Sequence, residues 1–243
     1  MKILIVGGSG ATGRLLVEEL LSREQKVKII VRSDKVLPES VKSNNNLEIV
    51  KASLLDMSEA DLQKQVKDVD AIASCLGHNI TFKGMFGQPR KLVTDAAKRL
   101  CDAVKTNNPT HKVKFVLMNT IANSNRDLDE PSSKKVKMVI GLLRVFLPPH
   151  PDNEQAADYL RVKIGQTDDT IEWVAVRPSG LTNEDTVTEY EAYASPLGDG
   201  AFDPGKISRI NTGHFIAELI TDSNIWKKWK GQMPVLYNKE STE

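Results

Sequence analysis

Lys2-Ile3-Leu4-Ile5-Val6-Gly7-Gly8-Ser9-Gly10-Ala11-Thr12-Gly13-Arg14-Leu15-Leu16 decides how the rest of the chain is read. An apolar run with no polar alternation, Ile3 to Val6, predicts a strand buried on both faces. It runs into glycines spaced three apart and then into an amphipathic helical pattern. The spacing has a chemical reason. Gly7 permits the tight turn, Gly10 carries no side chain to block a diphosphate, and Gly13 lets the helix pack closely on the strand. The helix then aims its free N–H groups and the positive end of its dipole at the phosphates. Gly7, Gly8, Ser9, Gly10, Ala11, Thr12 and Gly13 are therefore the expected phosphate-binding residues. The strand before and the helix after supply the context that an isolated glycine pattern lacks. No Gly-Lys-Ser/Thr follows, which excludes a P-loop.

Outward from that turn, short β-rich runs alternate with helical patterns. Strands are expected at Lys2–Val6, Val27–Arg32, Leu47–Lys51, Ala71–Cys75, Val113–Met118 and Ile171–Arg177. Helices are expected at about Thr12–Arg23, Ser58–Val66, Pro89–Lys105, Asn153–Ile164 and Thr212–Thr221. This order predicts an α/β fold: a doubly wound (Rossmann), mostly parallel sheet with helices on both faces. No linker or repeat interrupts it, so residues 1–243 read as a single NAD(P)-binding domain. Its cofactor part covers about 1–120. The stretches at about 121–155 and 178–209 lack clear periodicity and read as substrate-covering segments.

The end of the second strand selects the cofactor. A site for NAD commonly places a carboxylate there to bind the ribose 2′-hydroxyl. This chain has Val31-Arg32-Ser33-Asp34-Lys35. Arg32 can embrace a 2′-phosphate, Ser33 can donate a hydrogen bond, and Lys35 adds charge, so NADP is preferred over NAD. The alternative is that Arg32 stacks on adenine or points to solvent while Asp34 reaches the ribose.

Composition is ordinary: 40% hydrophobic, 27% charged, and a formal net charge of +1. A nucleic-acid or membrane surface would normally leave a basic excess, so neither partner is expected. Met138 to Leu147 is apolar but is interrupted by Gly141 and Arg144 and falls short of the roughly 20 residues a spanning helix needs. No signal peptide is read at the start. Cys75 and Cys101 have no CxxC spacing, so no structural disulfide is expected and a cytoplasmic location follows. The partner is a small-molecule substrate, and the chain reads as a monomer or homodimer.

Gly7-x-x-Gly10-x-x-Gly13 resembles the nucleotide fingerprint of the atypical short-chain dehydrogenase/reductases, including the NmrA-like proteins and the flavin reductase/biliverdin-IXβ reductase group. Leu76-Gly77, Trp173-Val174-Ala175-Val176-Arg177-Pro178 and Gly213-His214-Phe215 extend the similarity. The resemblance implies cofactor contacts at Leu76 and Gly77. That group usually has Gly-Asp after the third strand, the aspartate helping to hold adenine. Here the positions read Ala52-Ser53, which leaves backbone groups of Ser53 and Leu54 for that task. The implied activity is hydride transfer from NADPH to a small conjugated acceptor: a flavin, quinone or carbonyl compound. The alternative is a redox sensor that binds dinucleotide without turnover.

Tyr159-x-x-x-Lys163 matches the catalytic spacing of short-chain dehydrogenases. Its position argues against that role. Ligands lie beyond the carboxyl ends of the strands, and a helix returning to a strand near Ile171 must begin, not end, at that edge. Tyr159 then reads as a packing residue with Lys163 solvated, and about Asn153 or Glu154 occupies the family's lysine position. Thr120 follows the fifth strand where the short-chain dehydrogenases carry a Ser or Thr that bonds a substrate carbonyl, so the resemblance implies that role for it, with Asn153 beside it. His78, His111, His150 and His214 have no metal-ligand spacing, so no metal is expected. His78 reads as an exposed loop residue at the ligand edge, and Cys75 as a buried strand thiol. Trp226 and Trp229 read as indoles packed on the domain. Val139–Phe146 reads as a lid or a dimer face.

Overall fold

A computed structural model of the chain describes residues 1–78, 81, 86–130, 133–198 and 205–239. Parts of the two expected substrate-covering segments, 131–132 and 199–204, thus lie outside the described residues. The chain runs β1 (Lys2–Val6), α1 (Gly13–Ser22), β2 (Lys26–Val31), α2 (Glu39–Lys42) and β3 (Leu47–Lys51). A 3-10 turn (Leu54–Asp56), α3 (Glu59–Gln65), β4 (Ala71–Ser74), α4 (Leu92–Asn107) and β5 (Val113–Met118) follow. Then come α5 (Lys134–Phe146), α6 (Pro149–Asp158) with a π-helical continuation (Tyr159–Ile164), and β6 (Ile171–Pro178). The chain closes with β7 (Gly180–Thr182), β8 (Tyr190–Tyr193), β9 (Lys206–Ser208), α7 (Arg209–Thr221), α8 (Ser223–Trp229) and β10 (Val235–Asn238).

Eight strands form one sheet in the order β3-β2-β1-β4-β5-β6-β10-β8. All neighbours pair in parallel except β10 with β8. The order reverses between β1 and β4, and a doubly wound sheet opens its ligand crevice at such a reversal, beyond the strands' carboxyl ends. Side chains alternate across the sheet as strand geometry dictates. Ile3 and Ile5 join the layer of α1 and α7, with Leu16, Leu20 and Ile216. Leu4 and Val6 join the layer of α3, α4 and α6, with Leu62, Leu100 and Leu160. Each of these side chains is all but fully buried, worth about 2 kcal/mol apiece against exposure.

Helix ends follow local chemistry. Ser58, Ser208 and Asp222 accept bonds from amides of the first turns of α3, α7 and α8. Asn108 takes the left-handed conformation (φ +45°) that closes α4, a role its short polar side chain tolerates. Leu147-Pro148-Pro149 follows the end of α5, and Pro149 opens α6, where a missing N–H costs nothing. That moves the start of α6 four residues upstream of the expected Asn153. The last long helix similarly starts at Arg209 rather than Thr212, because Ser208 caps it.

Helices α2, α5 and α8 were not among those expected, and the strands missed by periodicity are β7, β8, β9 and β10. Each is only three or four residues long and exists through its partners: β8 and β10 pair over four positions, and β7 lies beside β9. Trp226 and Trp229 are buried in the α1–α7 layer, with Lys114 and Lys228 ammonium groups about 5 Å from their rings, 5.1 and 5.0 Å respectively. On α5, Met138, Leu142 and Phe146 are exposed at four-residue spacing. Cys75 and Cys101 are unpaired and buried. Among the described residues no helix is long and apolar enough to cross a membrane.

Candidate functional site

The turn after β1 is folded so tightly that its glycines are obligatory. Gly7 has φ +79°, and a Cβ there would lie 2.5 Å from the Cys75 carbonyl carbon and oxygen. The Gly10 N–H donates to the Gly7 carbonyl oxygen at 2.9 Å. A Cβ on Gly13 would stand 2.2 Å from that same oxygen, so only glycine lets α1 begin against the end of β1. Asp152 and the capping residues already named serve α4, α3, α7 and α8, whereas no side chain caps α1 and its first turn carries no acid. The Arg14 N–H is taken by the Gly10 carbonyl at 3.0 Å, but the helix start above this glycine-rich turn has no side-chain cap, and such a start fits a diphosphate.

A groove of about 630 Å³ runs from this turn across the carboxyl ends of β2, β3 and β4. Of the expected cofactor residues, Gly7, Ser9, Gly10, Arg32, Ser53, Leu54, Leu76 and Gly77 line it. Gly8, Ala11, Thr12, Gly13 and Ser33 are not among its lining. Gly8 faces Ile29 instead, and Ser33 Oγ accepts from the Lys35 N–H at 3.3 Å. Leu55, Asp56, Gln88, Pro89 and Leu92 also line the groove and were not anticipated. They come from the turn after β3, the loop before α4 and the first residue of that helix, and only the folded chain joins them.

Charge in the groove is sparse. Among the described lining residues Arg32 is the sole cation and Asp56 the sole anion. Arg32 is exposed and has no hydrogen-bond or ion-pair partner among the described residues. Asp34, the acid of the alternative ribose contact, is instead drawn to Lys51 on β3 at 2.9 Å, and that bond holds its carboxyl below the usual range. Cys75 lines the groove but burial pushes its thiol up to about 12, so it is no nucleophile at neutral pH.

Further along the same edge, Thr120 and Asn153 come together at the end of β5, outside the groove lining. Asn119 links them: its Nδ2 donates to the Asn153 carbonyl at 2.9 Å, and its Oδ1 accepts from the Thr120 N–H at 2.8 Å. Thr120 Oγ1 accepts from the Ala122 N–H at 3.3 Å, and Asn153 Nδ2 donates to the Pro149 carbonyl. Beneath them lies Asp152, 1% exposed. It accepts from the Val93 and Thr94 N–H groups at 2.8 and 3.0 Å and from His78 Nε2 at 2.8 Å. The reading of His78 as an exposed loop residue is thereby corrected. Its side chain is 4% exposed, because a buried carboxylate needs a third donor and the loop after β4 supplies it.

The Tyr159 phenol donates to Asp102, in the second half of α4, at 3.4 Å. Burial raises its pKa above the ordinary value, with Cys101 and Asp102 adding to the effect. That end of α4 is remote from the carboxyl edge, as the direction argument required. His214 is part-buried and meets the Tyr190 hydroxyl at 2.7 Å, and His111 is half-exposed. Nearer the site, Glu154 receives a bidentate Arg144. Burial opposes its ionisation, but His150 and Arg144 prevail and hold the carboxyl at about 2. His150 Nε2 stands 3.5 Å from Glu154, an ion-pair separation rather than a hydrogen bond.

A model of the NAD(P)H-binding family matches residues 7–223. No curated protein matches the chain. Among solved structures, the oxidoreductase ylbE from Lactococcus lactis is similar with a TM-score of 0.68 at 19% identity, over 99% of this chain and 92% of that one. A short-chain dehydrogenase/reductase from Veillonella parvula, in complex with NADP, has a TM-score of 0.68 at 15% identity, over 100% and 96%. ChuY, an anaerobillin reductase from Escherichia coli O157:H7, has a TM-score of 0.68 at 15% identity, over 100% of both chains. At such identities the likeness shows the Rossmann fold.

Proposed function

The chain belongs to the NAD(P)H-binding family, and from that premise we propose that it is an NADPH-dependent reductase acting on a small conjugated acceptor: a flavin, quinone or carbonyl compound. The observation that carries the choice of cofactor is the contrast at the end of β2. Arg32 is exposed and unpartnered beside the groove, while Asp34 is occupied by Lys51. An unpaired guanidinium suits a 2′-phosphate, and removing the carboxylate from competition takes away the acceptor a 2′-hydroxyl would want.

In this reading residues 1–120 hold the cofactor, and the segments about 121–155 and 178–209 cover the acceptor. The amides opening α1 bind the diphosphate, with Gly7 to Gly13 keeping side chains out of its way. Ser53 and Leu54 face the adenine, Ser33 supports Arg32, and Leu76 and Gly77 carry the dinucleotide across β4. When bound, the reduced nicotinamide supplies a hydride. Thr120, steadied by Asn119 against Asn153, orients the acceptor's oxygen. Tyr159 bonds Asp102, so the acceptors that fit best are those needing alignment more than a dedicated phenolic proton donor. The relatives in this fold class named as reductases agree with that reading.

The same direction of Tyr159 also favours a second reading, a dinucleotide sensor without turnover. One experiment separates the two. Purified protein is mixed with NADPH and a panel of flavins, quinones and aldehydes, and oxidation is followed by nicotinamide absorbance. Turnover with a member of the panel supports the reductase, whereas tight NADPH binding with no oxidation across the panel supports the sensor. Absence of binding would overturn both.

A further inference from the structure

Arg99 is a cation that no carboxylate claims among the described residues, and it is spent entirely on main-chain oxygens. From α4 its guanidinium donates to the carbonyls of Leu54 at 2.9 Å, Leu55 at 2.6 Å, and Met57. These three oxygens belong to the turn after β3, the segment that contributes Ser53, Leu54, Leu55 and Asp56 to the groove. Arg99 itself is not in the groove; it lines a small hollow on the far side of the turn, with Leu62, Asp102 and Thr106. The guanidinium's planar fork of five donors can bind several carbonyls at once, which an ammonium cannot reproduce at fixed angles.

We infer that Arg99 is the positioning residue of the adenine subsite, a role that rests on the dinucleotide reading of the groove. The turn has no acid at Ser53 to grip an adenine, so recognition there falls to main-chain groups, which are only as selective as they are rigid. A trans peptide sets its N–H opposite its C=O. With the Leu54 carbonyl held on Arg99, the Leu55 N–H is directed away from Arg99 and is offered to a ring nitrogen of the base. The second wall is fixed by the same helix. Leu92, at the start of α4, lines the groove, and Asp152 anchors that start through the Val93 and Thr94 amides. Arg99, two turns on, thus ties the Leu54–Leu55 wall to the helix that carries the Leu92 wall, and so sets the width of the slot between them.

The test compares halves of the cofactor. Wild type, Arg99→Met and Arg99→Lys are titrated with NADPH, with adenosine 2′,5′-bisphosphate and with reduced nicotinamide mononucleotide, each variant's fold being checked by circular dichroism. Arg99→Met is expected to weaken NADPH and the bisphosphate by the same factor, about tenfold. Reduced nicotinamide mononucleotide should bind unchanged, and in turnover KM for NADPH should rise with kcat unaltered. Arg99→Lys should recover part of the loss. If Arg99→Met does not fold, Arg99→Lys carries the comparison, with a bisphosphate affinity severalfold below wild type. Bisphosphate binding equal to wild type in a folded variant overturns the inference, as does an equal loss for both halves. Wild type that binds neither NADPH nor the bisphosphate fails before any variant is read, and that outcome brings down the dinucleotide reading and the inference with it.

Discussion

From β1 to the turn after β3, the ligand edge is shaped by main chain. Gly7 and Gly13 let the backbone close on itself, α1 begins without a side-chain cap, and Arg99 serves to hold carbonyls. At the ends of β5 and β6 the same edge is shaped by side chains that meet from far apart in sequence. Arg177, fully buried, donates to both carboxylate oxygens of Glu130 and to the carbonyls of Asn123, Ala194 and Met233. Asp152 gathers His78 and the start of α4, and Asn119 joins Thr120 to Asn153. A ligand part common to all dinucleotides can be met by backbone alone. A variable acceptor needs side chains, and these require long-range polar nodes to stand still.

The two constructions should fail differently. Arg177→Met should have the largest effect, about 4 kcal/mol lost in urea denaturation, because Glu130 is left buried without its partner. Adding Glu130→Leu should return a good part of it; if the double variant is no better than the single, the pair is not the node described. Gly7→Ala should cost about 3 kcal/mol, since a Cβ meets the Cys75 backbone at a positive φ, and should abolish measurable NADPH binding. Retention of both stability and affinity would break the main-chain half of the comparison.

Arg32→Asp should change little in melting temperature, because Arg32 has no partner to lose, yet lower the preference for NADPH over NADH by about tenfold or more. Paired titrations of both cofactors read this directly. The smallest effect is electrostatic. Glu154 has a folded pKa of about 2 against an ordinary 4.5, so its ionised form stabilises the fold fully above about 4.5. That contribution is lost as pH falls through about 2. The melting temperature of wild type should exceed that of Glu154→Gln by a few degrees at pH 6, with the gap closing between pH 4.5 and 2. A constant gap would mean that Arg144 and His150 do not favour the charged carboxylate.

Legibility divided along the same line. The six parallel strands, the glycine turn and the packing of Trp226 and Trp229 follow from local pattern, because burial on both faces leaves uninterrupted apolar runs. The direction of the helix that carries Tyr159 also followed from the order of elements, and its phenol is found on Asp102. Strands β7 to β10 could not be read, since three or four residues carry no period that outweighs a turn. His78 was misjudged for a related reason: the carboxylate that buries it is 74 positions away. Arg99 sits in an ordinary amphipathic helix, and nothing near it in sequence announces three carbonyls as partners.

By itself the amino-acid order determined the sheet's central strands, the glycine turn proposed to meet a diphosphate, and an arginine at the end of β2. Those depend on backbone sterics and on neighbours within a few positions, which a linear reading carries. Only the tertiary structure decided that Asp34 is taken by Lys51, that Asp152 recruits His78, and which walls the turn after β3 and α4 present to the groove. A buried polar group is satisfied by whichever donor the fold brings within about 3 Å, and sequence separation places no limit on that choice.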